Sequence, residues 1–200
     1  MMSSLTDSNR SPEWSRIKTP AWIPWTCTAL SYGPLLILVI ALAFRTHSAS
    51  LPLLLVATLT VRIAQVAVHE FGHYRVYKRA LGRGEKPQVS WWPNPRVSIP
   101  EDVWLDKQTQ VFSTIAPFLP MTLFTWSGSL SLMMFVLMPE GSFVWEWFFW
   151  IALNLVPSII SCTGDFYWLI QVCQKPSGTL FNDRGNFLLV KLPPGLSQEC

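Results

Sequence analysis

His69-Glu70-Phe71-Gly72-His73 places two imidazoles four residues apart. On an α-helix that spacing puts both on one face, where they can share a single zinc ion. Glu70 stands to the side of the pair, the position of a general base that takes a proton from a water polarised by the metal. Ala67-Val68 before the motif and Tyr74 after it are uncharged, as a helix packed in a core or a membrane requires.

Two histidines leave a catalytic zinc site one protein ligand short. The longer pattern H-E-x-x-H-x-x-G-x-x-H is not met, because Val76 and Arg79 stand where its glycine and third histidine belong. No histidine follows His73, so the third ligand is expected to be a carboxylate: Glu85, Glu101, Asp102, Asp106, Glu140, Glu146, Asp165, Asp183 or Glu199. Only Glu146 and Asp165 lie in apolar stretches, where a lone carboxylate is costly and functional by default. His69 lies about 27 Å along its helix from Leu51, and Asp165 lies near the same end of the last apolar stretch. Glu146 sits at the opposite end, among Trp145, Trp147 and Trp150. Asp165 is therefore the expected ligand.

Helical periodicity supports the pairing. Thr58, Arg62, Gln65, His69 and His73 form one polar stripe, and Asn154, Ser158, Ser161 and Asp165 form another. Two such stripes on apolar helices are expected to face each other, away from lipid. Arg62, Asn154 and Ser161 are candidates for supporting or substrate contacts. For Arg62 a structural pairing is favoured over a bond to Glu70, Asp165 or a substrate carbonyl, since it lies over two turns from His69.

The elements that must hold these residues are apolar. Hydrophobic residues make up 50% of the 200 and charged residues 14%, against about 25% charged in soluble domains. Mean hydropathy is +0.30. Four apolar runs, over about 27–44, 51–74, 111–138 and 143–172, match the ~20 residues that cross a bilayer. The expected fold is an all-α polytopic membrane helix bundle with about four transmembrane helices over 27–174. A polar tail (1–26), a central loop (75–110) and a C-terminal tail (175–200) complete it. The stretch Arg75–Lys107 holds seven basic residues, whereas the loops after the first and third spans hold Arg45 and none. The central loop and both termini are thus expected in the cytoplasm. The polar stretch before the first run is long for a signal peptide, so a signal anchor is favoured over cleavage at Ala41-Leu42-Ala43. Around Pro93-Asn94-Pro95, Gln88–Trp92 and Arg96–Ile99 read either as a small cytoplasmic β-hairpin or as an irregular loop anchored by Trp91 and Trp92. Pro117, Pro120 and Pro157 should kink their helices and free backbone carbonyls. Cys27, Cys162, Cys173 and Cys200 show no C-x-x-C spacing, so neither disulfides nor a thiolate zinc site is expected. A net charge of +3 without basic residues interleaved with aromatics argues against nucleic acid. Nothing in the sequence fixes an oligomeric state.

Together with the histidine motif, Ala116-Pro117, Asn154-x-x-x-Ser158, Gly164-Asp165 and Asn182-Asp183-Arg184-Gly185 give a recognisable set. Over about Leu51–Val190 the chain resembles a zincin-type family of small polytopic bacterial membrane proteins, related in logic to site-2-type intramembrane zinc metalloproteases. The resemblance implies a plasma-membrane zinc peptidase with Zn2+ as cofactor. Asn154-Leu155-Val156-Pro157 fits the Asn-x-x-Pro stretch of site-2 proteases. The aspartate then comes eleven residues after Asn154, in the order Gly164-Asp165, a departure from their Asp-Gly pair.

The sequence therefore points to a membrane-embedded zinc metallopeptidase cleaving membrane proteins or peptides. His69, His73 and Asp165 would be ligands and Glu70 the base. A hairpin edge would suit capture of an extended substrate by β-addition. Two other classes fit the same residues. One is a zinc-binding, non-proteolytic membrane scaffold or chaperone that does not depend on Glu70. The other is a metal or proton carrier using Arg62, Glu70 and Asp165.

Overall fold

The computed structural model describes residues 14–23, 25–26, 29, 33, 50–82, 84–91, 95–137 and 143–195, and from residue 50 onward the described residues form three helical rods that pack with a small antiparallel sheet and a hairpin. Strand β1 spans Trp14–Lys18 and the first rod is α1, Ser50–Leu81. Gly82, at φ +73°, ends α1 in the left-handed conformation that glycine adopts without steric penalty. Lys78 and Arg79 lie in its last turn, where cations suit the helix dipole. A hairpin follows, β2 (Gln88–Ser90) with β3 (Arg96–Ser98), pairing Val89 with Val97. It forms where the Pro-Asn-Pro signal predicts a turn.

Strand β4 (Leu105–Asp106) leads directly into the second rod, α2 (Lys107–Ile115) and α3 (Phe118–Leu137). Asp106 is the N-cap of α2: its carboxylate accepts the Thr109 N–H at 2.8 Å and the Thr109 hydroxyl at 2.9 Å. The break at Ala116-Pro117 follows from proline's missing N–H. The third rod is α4 (Phe143–Leu155), a 3-10 turn over Val156–Cys162 and α5 (Thr163–Cys173). Pro157 lies at the start of the tighter turn. Gly128 of α3 allows the close approach of that rod, since a Cβ there would lie 2.6 Å from the Val156 nitrogen.

Strands β5 (Leu180–Asp183) and β6 (Phe187–Lys191) complete a four-stranded antiparallel sheet in the order β1-β6-β5-β4. Its register pairs Trp14 with Lys191, Phe181 with Val190 and Leu105 with Phe181. Phe181, Leu188 and Val190 bury themselves against Val172 of α5, with Ile17 and Val111 packed alongside. A second apolar cluster joins Tyr77 of α1 to Val97, Ile99 and Leu105.

This mixed α/β architecture overturns the expected all-α four-span bundle. Segments read as polar tails supply β1, β5 and β6, and the end of the central loop supplies β4. Among the described residues two helices are long and apolar enough to cross a membrane, Lys107–Leu137 and Trp147–Cys173. The stretch expected as a second span lies within the helix Ser50–Leu81, whose polar residues include Arg62, Gln65, His69, Glu70 and His73. The first expected span, 27–44, lies almost wholly outside the described residues.

Candidate metal centre

The third rod brings Asp165 to the histidine motif across 92 residues of sequence from His73. Asp165 Oδ2 lies 3.1 Å from His69 Nε2, and Oδ1 lies 3.4 Å from His73 Nε2. The carboxylate thus presents one oxygen to each imidazole. His73 and Asp165 are each 9% exposed, so whatever balances this charge does so with little help from bulk water.

The tautomer of His73 follows from its other nitrogen. Nδ1 lies 3.0 Å from the backbone carbonyl oxygen of Ser113, which can only accept, so Nδ1 carries a proton and donates it. In the neutral ring this leaves a lone pair on Nε2, facing a carboxylate oxygen at 3.4 Å. Two acceptors at that distance repel unless a cation, a proton or a metal ion, lies between them. Gly72 makes the approach of the break between α2 and α3 feasible, because a Cβ there would lie 3.0 Å from the Pro117 nitrogen.

Cys162, on the last turn before α5, adds a thiol. Its Sγ is 3.7 Å from His69 Nδ1, and His69, Cys162 and Asp165 each offer a ligand atom within 4.8 Å of the others. These three residues form a group that could hold a metal ion. Without a C-x-x-C partner, Cys162 does not stand out in the sequence as a metal ligand. The signal that would have found it is its place three residues before Asp165, one turn away on the same polar stripe. The thiol lies nearest His69 Nδ1 and the Asp165 carboxylate nearest Nε2, so an ion held by all three would take one of the two ring nitrogens.

Glu70 lines a cavity of about 150 Å³ beside this group, together with His69, His73, Val97, Asp165 and Trp168. Its Oε2 accepts the Val97 N–H at 2.9 Å, which ties α1 to the hairpin. Asp183, set aside in the sequence because it lies beyond the apolar runs, lines the same cavity. It accepts a short hydrogen bond from the Tyr77 hydroxyl and the Gly185 N–H at 2.6 Å. The Tyr77 ring in turn stacks on His73, centroids 6.4 Å apart. Burial pushes the Tyr77 hydroxyl well above its ordinary range, and the Asp183 carboxylate adds to the effect. Burial likewise pushes Asp183 up, against the Tyr77 bond that lowers it.

The proposed supporting residues fall elsewhere. Arg62 donates to Gln65 Oε1 at 3.1 Å, and Gln65 Nε2 reaches the Ser158 hydroxyl at 2.8 Å and the Asn154 carbonyl at 3.0 Å. The two polar stripes do meet along this line. Asn154 is fully buried and its amide donates to the Trp150 carbonyl, whereas Ser161 donates to Ser158 of its own turn. None of Arg62, Asn154 and Ser161 is among the described residues lining the cavity. No protein-family model, curated protein or solved structure is significantly similar to this chain.

Proposed function

We propose that the chain is a membrane-embedded zinc metallopeptidase in which His69, His73 and Asp165 hold Zn2+ and Glu70 is the general base. The observation that carries this reading is the carboxylate of Asp165, which offers one oxygen to each imidazole while Ser113 fixes the proton of His73 on the far nitrogen. Ligand atoms around a tetrahedral zinc at about 2.0–2.1 Å lie about 3.3–3.4 Å apart. The separations of 3.1 and 3.4 Å fit that requirement.

Zinc, when bound, supplies Lewis acidity to a peptide carbonyl and to an attacking water. The rest is work for the side chains. Glu70 Oε2 stays anchored on the Val97 N–H, and Oε1 accepts a proton from water in the cavity. The same carboxyl group then returns that proton to the departing amide nitrogen.

Exposure along α1 supports the bilayer as solvent. Thr58, Arg62 and Gln65 are buried, while Val56, Leu59 and Ile63 are 59–69% exposed. On α3, Leu119, Leu123, Trp126, Leu130, Met133 and Leu137 form an exposed apolar stripe at helical spacing. Strands β4 and β5 pair at either end of the two apolar helices. That pairing favours a path that crosses and returns to one side, and the basic stretch Arg75–Lys107 favours the cytoplasm for that side.

Glu70→Gln tests the assignment. An amide oxygen can still accept from Val97, so zinc and fold should persist while cleavage of a panel of transmembrane peptides falls by ~10²–10⁴-fold. Undiminished cleavage by Glu70→Gln excludes the mechanism.

A second reading has its own observation, the thiol of Cys162. Four protein ligands make a closed, structural zinc site with no position for substrate, as the scaffold reading requires. The peptidase reading expects Cys162→Ser to retain zinc and cleavage. Loss of zinc from Cys162→Ser, with no dependence on Glu70, favours the scaffold.

A further inference from the structure

The exposed face of α1 changes character within one turn of the histidine motif. Thr60, Ala64 and Phe71 follow one another along that face, all three exposed and uncharged. Arg75, Lys78 and Arg79 continue it, each exposed, and fall with Phe71 within about 100° around the helix axis. Apart from Glu70, whose carboxylate accepts the Val97 N–H, α1 contains no acidic residue. Among the described residues none of the three cations meets a carboxylate. The Arg75 guanidinium instead lies 5.9 Å over the exposed ring of Phe71, and Lys78 Nζ lies 5.8 Å over Tyr74. Tyr77, on the other side of the helix, packs against the hairpin, which leaves the cationic face open. The helix dipole accounts for Lys78 and Arg79 but not for Arg75, which stands before the last turn.

We propose that this face of α1 binds the anionic headgroup of a phospholipid. The inference rests on the bilayer reading above and is independent of peptidase activity. An exposed face that runs from uncharged to cationic matches the step from acyl chains to phosphates at a membrane surface. Arg75 and Arg79 are four residues apart, so both guanidinium groups can reach one phosphodiester and offer it paired N–H donors. Lys78 adds a third, compact charge on the same face. Phe71, one turn before Arg75, stands at the depth of the upper acyl chains. An acidic protein segment would match the charges but not Phe71 and the uncharged face that leads to it. The lipid also bears on the metal centre. At 1.5 Å per residue, Arg75 lies about 3 Å along the axis from His73. A headgroup held at Arg75 therefore sets the cavity at the depth where the bilayer meets water.

The test uses the purified full chain in a neutral detergent, with bound lipid counted by native mass spectrometry. The probes are dioleoyl phosphatidylglycerol, which is anionic, and dioleoyl phosphatidylcholine, which carries no net charge. Each cation near an anionic surface contributes about fivefold in affinity. Wild type should therefore prefer phosphatidylglycerol by at least about tenfold. The triple variant Arg75→Gln, Lys78→Gln, Arg79→Gln should lose that preference, and Arg16→Gln with Lys18→Gln, on β1, should keep it. If the triple variant fails to fold, salt decides. Raising ammonium acetate from about 0.05 to about 0.5 M should weaken phosphatidylglycerol binding to wild type at least about fivefold and leave phosphatidylcholine unchanged. Equal affinity of wild type for the two lipids, a preference kept by the folded triple variant, or binding indifferent to salt overturns the site. Displacement of the lipid by equal concentrations of glycerol phosphate or of a tetraglutamate peptide assigns the face to a free phosphate or to an acidic protein, and overturns the lipid. A wild type that stays soluble without detergent overturns the bilayer reading and this site together. None of these outcomes touches zinc content or the dependence of cleavage on Glu70.

Discussion

The Nδ1 proton of His73 is held by the carbonyl of Ser113 at 3.0 Å, and that carbonyl is available because of a proline. In an uninterrupted helix the Ser113 oxygen would accept from the N–H four residues on, but that residue is Pro117, which has none. Ala116 N–H reaches Ser113 only at 3.3 Å, as the longer arm of a bond shared with Phe112. A helix break thus orients an imidazole.

Pro117→Ala should restore the competing donor and loosen His73. Partners that orient a metal-binding histidine typically contribute 10–100-fold to metal affinity. The expected outcome is zinc affinity at least about tenfold weaker, measured by competition with a chromogenic chelator. An unchanged affinity would show that the Ser113 carbonyl does not hold the ring.

Asp106 provides a pH test away from the metal. The Thr109 N–H that it accepts holds its carboxyl below the ordinary 3.8. A folded-state value below the unfolded one means that this contribution is complete above the unfolded value and is lost as pH falls through the folded one. Asp106→Ala should cost about 1 kcal/mol near neutral pH. Asp106→Asn keeps the cap but cannot titrate, so its melting temperature in detergent should fall less than wild type's between about pH 5 and pH 3. Parallel acid slopes for wild type and Asp106→Asn would contradict the capping argument.

The convergence of His69, His73 and Asp165 was legible in the sequence because helical periodicity and the cost of a charge in an apolar stretch act locally. Four-residue spacing paired His69 with His73, and burial cost singled out Asp165 from nine carboxylates. The freed carbonyl followed from Pro117 alone. The sheet was not legible for the opposite reason. Trp14 pairs with Lys191, so the partner that makes 14–18 a strand lies at the far end of the chain. Its composition taken alone is that of a polar tail. Strand β4 is two residues long and has no periodicity to read. Cys162 was lost because the thiol was sought by cysteine spacing and not by its place on the stripe of Asp165.

Gly128 should be intolerant of any side chain. A Cβ there would lie 2.6 Å from the Val156 nitrogen and 2.9 Å from the Leu155 carbonyl carbon, backbone atoms of the turn that leads to Asp165. Gly128→Ala is expected to destabilise the protein by about 1–3 kcal/mol through overpacking. Gly84→Ala meets nothing within 4 Å and is the control. Equal thermal stability of the two variants would mean that α3 and the third rod do not pack this closely.

Tyr77→Phe tests whether the sheet and α1 act as one unit. The Tyr77 hydroxyl donates to Asp183, and the Asp183 carbonyl accepts the Ile99 N–H at 3.0 Å, so one residue of β5 binds both α1 and the end of the hairpin. Removing the hydroxyl leaves a buried carboxyl oxygen short of a donor and should cost about 1–3 kcal/mol. Because the Val97 N–H that anchors Glu70 lies two residues before Ile99, the loss should spread to the hairpin. Hydrogen exchange at Val97 and Ile99 should quicken in Tyr77→Phe, while exchange in α3, which takes no part in this contact, should stay nearer that of wild type. Exchange that is unchanged at both amides, at equal melting temperature, would show that the Tyr77–Asp183 bond does not couple the sheet to the hairpin.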